Sequence, residues 1–154
     1  MNIKIRKANI CDKDILNNLF QKLLEYERDT FKLNINDNLN INSYFDKRLQ
    51  DKENHIILVA CLNEDVIGYI YAYIDFDNKI ARDLEAIGGS FFILEDYRYQ
   101  KIGSKLMNEL MNELKLKKVK YFSLDNIYAN EVARKLYSKL GFEVIKENRV
   151  KELL

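Results

Sequence analysis

Hydrophobic positions along this chain follow two rhythms, one of every second residue and one of every third or fourth, and their alternation defines the expected elements. Asn2 to Lys7 sets Ile3 and Ile5 between polar residues, which predicts a half-buried strand. From Ile15 the spacing changes: Leu16, Leu19, Phe20, Leu23 and Leu24 form one stripe of an amphipathic helix, with Asp12 positioned to cap it. Leu33 to Asn42, with asparagines between Leu33, Ile35, Leu39 and Ile41, fits neither rhythm and reads as a loop. A short helix follows from about Asn42 to Lys52, burying Tyr44, Phe45 and Leu49.

Ile56 to Leu62 is an unbroken apolar run of strand length, and Asn63-Glu64-Asp65 turns the chain into a second such run, Val66 to Ile74. So short a turn predicts an antiparallel hairpin. After a polar connection, Asp75 to Arg82, comes a strand from Leu84 to Leu94, interrupted at Gly88-Gly89, where a bulge or a close approach is expected. A helix from about Gln100 to Lys117 carries Ile102, Leu106, Leu110 and Leu114, and Val119 to Leu124 is the next strand. The last helix, Asn130 to Leu140, presents Val132, Ala133, Leu136, Tyr137 and Leu140, and Gly141 suits the left-handed position that ends it. Phe142 to Lys146 and Val150 to Leu154 complete the pattern as closing strands, with Asn148 near the bend.

The order βααβββαβαβ(β) is that of an α/β chain of the α+β type, a mixed sheet with helices on its faces. With 154 residues and 47% hydrophobic content, a single domain over 1–154 is expected. Lys plus Arg (25) nearly balances Asp plus Glu (24), so there is no global field to attract nucleic acid or an anionic membrane. Cys11 and Cys61 allow at most one bridge and no apolar leader precedes them, which points to a reducing, cytoplasmic setting; no apolar run reaches the roughly 20 residues of a membrane span. His55 has no companions for a metal site, Cys11 and Cys61 read as small buried fillers, and Met107 with Met111 as helix packing. Gly103 is followed by Ser104 and not by the lysine of a phosphate-binding Walker loop, which argues against ATP hydrolysis.

Candidate chemistry concentrates in Ile93 to Met107: a strand end, a charged turn and a helix start. The first turn of a helix has unpaired N–H groups and the positive end of the macrodipole, so a phosphate there gains hydrogen bonds and field together. Arg98, Lys101 and Lys105 add positive charge, and Gly103 allows a ligand to approach the main chain.

Arg98-Tyr99-Gln100-Lys101-Ile102-Gly103 resembles the acetyl-CoA signature of the GCN5-related N-acetyltransferases (GNAT), Arg or Gln, two residues, Gly, one residue, then Gly or Ala, directly after the fourth strand. It matches at Arg98 and Gly103 and departs at Lys101, where the family usually has glycine. Asn130 to Phe142 resembles the family's later signature, an Asn, an Ala three on (Ala133), a Leu-Tyr pair (Leu136-Tyr137) and a closing Gly-Phe. The two motifs stand in the family's order and at about its separation.

The resemblance implies a GNAT-like, mostly antiparallel sheet whose fourth strand splays from the fifth, with Ile93 and Leu94 pairing a pantetheine arm through their main chain. It implies that Arg98, Tyr99, Gln100, Lys101, Ile102, Gly103, Ser104 and Lys105 hold the diphosphate, with Asn130 on the pantetheine or as a helix cap. A lysine at 101 keeps the amides in place if its φ is negative; the rival reading is a solvated lysine in a degraded site. Tyr137 corresponds to the tyrosine that bonds the coenzyme sulphur and is the candidate general acid, against a purely packed tyrosine. Many relatives carry an acid at the place of Gly89; Glu85, nearer the strand's start, is the candidate base through water, against a merely exposed glutamate. The loop between the first two helices commonly borders the acceptor site in that family, and Glu25, Glu27, Asp29 and Asp37 either give its entrance an acidic character or simply face water.

The function so implied is acetyl transfer from acetyl-CoA to a primary amine of a small molecule or peptide, by direct attack without a covalent enzyme intermediate and without a metal. The alternative is a non-catalytic acyl-CoA-binding or protein-interaction module. Either reading suits a monomer or a homodimer.

Overall fold

The computed structural model of the protein describes residues 2–38 and 41–154; the Leu39 part of the expected loop lies outside the described residues. One five-stranded sheet runs in the order β1 (Ile3–Lys7), β2 (His55–Leu62), β3 (Asp65–Ile74), β4 (Glu85–Ile93), β5 (Tyr121–Ser123). The first three pairings are antiparallel and β4 with β5 is parallel. The helices are α1 (Lys13–Phe31), α2 (Asp46–Gln50), α3 (Ile102–Leu116) and α4 (Glu131–Lys139).

Both faces of the sheet are covered, which is why β2 reads as a continuous apolar run. Leu58 and Ala60 point to the side where α3 buries Ile102, Leu106, Met107, Leu110 and Leu114. Ile57 and Val59 point the other way, into a second cluster with Leu16, Leu19, Phe45, Leu49, Tyr69 and Tyr71. Each fully buried leucine of these layers contributes about 2–3 kcal/mol of apolar burial.

The hairpin forms as expected, with Asn63 at φ 55 in its turn, and Gly141 ends α4 at φ 87. Several details differ from the sequence reading. Asp12 does not cap α1: its carboxylate accepts from Arg6 at 2.7 and 2.8 Å and from the Asn9 amide at 2.8 Å, and Asn9 caps the short turn before it. The ion pair holds Asp12, which is buried, below the usual carboxylate range through the Arg6 hydrogen bonds. Cys11 is exposed in that turn, and only Cys61 is a buried filler.

The expected second helix is a single turn and a half, Asp46–Gln50, because Ser43 and Tyr44 lie in the preceding turn. Phe45 and Leu49 are nonetheless buried. The closing strands at Phe142–Lys146 and Val150–Leu154 do not form. Val144 is 90% exposed and Val150 98%, and β5, three residues long, stands at the sheet edge with no strand beyond it among the described residues. Apolar alternation alone does not make a strand: the outer edge of β5 stays unpaired among the described residues although these segments follow it in the chain. Among the described residues no helix is long and apolar enough to cross a membrane.

Candidate functional site

β4 pairs with β5 only from Glu85 opposite Tyr121 to Ile87 opposite Ser123. Beyond Ile87 the pairing stops, so one edge of Gly88 to Ile93 carries no strand among the described residues. The expected fork is present. At Gly88-Gly89 the partners on β3 pass from Ser90 opposite Tyr71 to Gly88 opposite Ala72, leaving Gly89 as the extra residue of a bulge. A Cβ at Gly89 would collide with the Tyr71 ring. The place of the usual acid is thus closed by an aromatic ring from the neighbouring strand.

That ring is fixed from the outside. The Tyr71 hydroxyl lies 2.8 Å from His55 Nδ1 and accepts from Arg48 Nε at 3.1 Å, while the Arg48 guanidinium stacks 3.9 Å above the Tyr44 ring. Burial pushes the Tyr71 phenol up to about 12. Tyr69, two residues earlier on the same face, is fully buried and donates to Ser90 Oγ at 3.0 Å.

At the end of β4, Leu94 donates its amide to the Ile67 carbonyl at 3.0 Å, and the Ile93 carbonyl accepts from Arg98 Nε at 2.9 Å. The Arg98 guanidinium lies between aromatic rings, 4.8 Å from Tyr26 and 5.3 Å from Phe92. Arg98 therefore ties the strand end to α1 rather than extending as a free cation. Tyr99 and Lys101 both take left-handed backbone, φ 61 and 62, and Lys101 is the N-cap of α3. The condition of a negative φ at Lys101 is not met, and its left-handed turn is the conformation for which glycine is the natural residue.

α3 begins at Ile102, two residues later than expected, so Ile102, Gly103 and Ser104 supply its first unpaired amides. The Cβ direction of Gly103 meets Phe91 at 3.1 Å and Leu136 at 3.5 Å. This glycine closes the packing of α3 against β4 and α4; it does not open a path for a ligand. Tyr99, Lys101 and Lys105 are exposed, and the Gln100 amide donates back to the Asp96 carbonyl at 3.3 Å.

Asn130 caps α4, its Oδ1 accepting from the Ala133 amide at 3.1 Å. About two turns further, Tyr137 is half-buried against Phe142, ring centroids 5.8 Å apart. Its hydroxyl has no hydrogen-bond partner among the described residues, and no fully buried polar side-chain atom lacks one, so the hydroxyl reaches solvent. Burial and then the charge of Glu27 push its phenol up to about 12.

Glu85 lies at the opposite end of β4, eight residues from Ile93 and roughly 26 Å along the strand, and its carbonyl accepts from the Asp75 amide. The structure does not bring it to this group. Glu27 is there instead. The stripe Leu16, Leu19, Leu23 continues at the next helical step to Glu27, half-buried, whose charge acts on both Tyr137 and Tyr69. Its own carboxyl is raised by burial. A carboxylate where the apolar rhythm calls for a hydrophobe was the available signal. Of the other acids on this segment, Asp29 and Asp37 pair with Arg28 at 2.9 and 3.1 Å, and Glu25 accepts from Gln21.

Between α1 and α2 lies an open cavity of about 730 Å³ lined by Phe20, Leu24, Ile41, Tyr44, Lys47 and Arg48. Among the described residues no cluster of His, Cys, Asp and Glu could hold a metal.

The Acetyltransferase (GNAT) family model matches residues 19–142. No curated sequence relative matches. Among solved structures, a mutant of the BH1408 protein from Bacillus halodurans is 21% identical with a TM-score of 0.82, covering 98% of this chain and 99% of its own. AAC(6')-Iy in complex with a bisubstrate analogue, CoA-S-monomethyl-acetylneamine, is 17% identical with a TM-score of 0.75, covering 100% of this chain and 99% of its own. A "predicted acetyltransferase with acetyl-CoA" from Clostridium acetobutylicum is 19% identical with a TM-score of 0.76, covering 98% and 96%. The forked β4, the helix start beside it and a family match over most of the chain lead to one statement: this chain belongs to the GNAT acetyltransferase family.

Proposed function

We propose that the protein transfers the acetyl group of acetyl-CoA to a primary amine of a small molecule or peptide by direct attack. The observation that carries this reading is the juxtaposition of the β4/β5 fork with the first amides of α3 and a solvent-reaching Tyr137 hydroxyl. A coenzyme fits these residues: the free edge of β4 suits an amide-bearing arm, and the amides of Ile102, Gly103 and Ser104 suit a diphosphate. Lys101 and Lys105 add cations at the mouth.

Chemistry follows from positioning. Holding an amine against a thioester converts a bimolecular step into an intramolecular one. Tyr137, protonated up to about pH 12, keeps its proton for the departing sulphur throughout the physiological range. AAC(6')-Iy, of the same fold, is complexed with an analogue bearing an aminoglycoside portion, which makes such polyamines one acceptor class to include.

The test is thiol release from acetyl-CoA with polyamines, amino acids, aminoglycosides and peptides, beside calorimetric titration with acetyl-CoA. Amine-dependent thiol release supports the reading. Coenzyme binding with no turnover on any acceptor favours a non-catalytic acyl-CoA-binding module, the reading that the ring-filled position at Gly89 and the left-handed Lys101 motivate. No binding below the millimolar range removes both.

A further inference from the structure

An amine acceptor arrives as an ammonium ion, and something must take its proton before the nitrogen can attack. On β4 nothing is available, because the Tyr71 ring fills the position at Gly89 and Glu85 sits at the far end of the strand. Across the fork, on α1, stands a carboxylate with no hydrogen bond or ion pair among the described residues. Since no fully buried polar atom is without a partner, its oxygens open to solvent although the residue is half-buried. Leu24, three residues before it and hence its neighbour on the helix surface, lines the cavity between α1 and α2. We infer that Glu27, one helical turn along α1 from the cavity-lining Leu24, binds the acceptor's ammonium group and takes its proton. This rests on the acetyl-transfer reading above.

The groups facing Glu27 fit the role. Tyr69 on β3 and Tyr137 on α4 both feel the charge of Glu27, and both phenols are held protonated, so neither brings a charge. Arg98, after β4, is committed to the Ile93 carbonyl and the Tyr26 ring, and Arg28 on α1 is turned to Asp29 and Asp37. No cation offsets the burial of Glu27, which alone sets the upward shift of its carboxyl. An uncompensated carboxylate attracts an ammonium, and the burial that raises its carboxyl brings its basicity closer to the amine's, which eases the transfer.

The proton balance closes. The ammonium gives one proton to Glu27, which passes it to water. As the C–N bond forms and the C–S bond breaks, sulphur takes the Tyr137 proton, and the nitrogen's surplus proton returns to Tyr137 through water. One proton leaves to solvent for each acetyl group moved.

The test uses the full chain, Glu27→Gln and Glu27→Asp, with spermidine, neamine and a peptide bearing a free amino terminus. Glu27→Gln is expected to lower kcat/KM about 100-fold at neutral pH, with the deficit shrinking as pH rises and the amine deprotonates unaided. Acetyl-CoA affinity by calorimetry stays unchanged, and Glu27→Asp recovers part of the rate. Independently of activity, a carbon-13 NMR titration of glutamate carboxyls, with Glu27 assigned by its loss in Glu27→Gln, shows this group titrating above the ordinary glutamate range. A wild-type pH profile in Glu27→Gln overturns the inference and leaves acetyl transfer standing, as does lost acetyl-CoA affinity or an ordinary Glu27 titration. A wild-type protein that binds acetyl-CoA yet acetylates none of these amines overturns both.

Discussion

The ring of Tyr71 occupies the space that a side chain at Gly89 would need. The bulge at Gly89 and the tyrosine opposite are therefore one unit, fastened by His55 and Arg48. An acid introduced at this position disturbs packing before it does any chemistry. Gly89→Glu is expected to cost about 1–3 kcal/mol in denaturant unfolding and to add no rate; combining it with Tyr71→Ala relieves the clash, a non-additivity that a double-mutant cycle measures.

Tyr137→Phe keeps the packing against Phe142 and removes only the hydroxyl. Turnover is expected to fall about tenfold or more while acetyl-CoA affinity changes little. Because burial raises the phenol to about 12, no alkaline limb near neutral pH is assigned to it. Wild-type turnover would take Tyr137 out of the chemistry.

The Arg6–Asp12 pair predicts a pH dependence of stability. Asp12 is depressed in the folded chain, chiefly by its Arg6 hydrogen bonds, so its contribution is complete above its unfolded value, about 3.9, and is lost as pH falls through the folded value. Asp12→Ala is expected to cost about 2 kcal/mol at neutral pH, Arg6 being one-third exposed and able to rehydrate. The loss should fade in acid, as parallel unfolding curves would record.

Asn130→Ala removes the cap of α4 and is expected to cost about 1 kcal/mol. Since α4 has no fully buried residue, the first effect should be fraying of the helix that carries Tyr137. Faster amide exchange at Ala133 and Arg134 than in the core strands is the measurement.

Glu27 carries a sign opposite to Asp12. Its carboxyl is raised by burial, so ionising it weakens the fold as pH climbs from about 4.3, the unfolded value, through the folded one. Glu27→Gln should therefore melt no lower than wild type at neutral pH, with calorimetric Tm as the check. A residue that lowers stability where it stands fits a functional role.

What the sequence disclosed depended on how local the signal was. α1, α3 and the β2/β3 hairpin were legible because their apolar stripes answer to one element each, and the bulge at Gly88-Gly89 because glycine there has a direct backbone meaning. The Phe142–Lys146 and Val150–Leu154 strands failed because alternation says nothing about whether a segment pairs, even with the open edge of β5 at hand. Lys101 was read as a cation, whereas its main-chain angle is its stronger property. Glu27 was legible only as one of four acids that either border an acceptor entrance or face water, and Tyr71 not at all, because what sets them apart lies in partners distant along the chain: β3 and α4 for one, Gly89 and Arg48 for the other.

The two left-handed residues before α3 have a thermodynamic consequence. Non-glycine residues in that region cost on the order of 1–3 kcal/mol each, and here the cost is met when the chain folds. For the diphosphate of the proposed function, the donors at Ile102 would already be aligned, so little further ordering entropy would be lost on association and affinity at this corner would reflect the contacts themselves. Preorganisation of this kind leaves a kinetic mark: association approaches the rate of diffusive encounter, and selectivity among anions appears in how slowly each one departs.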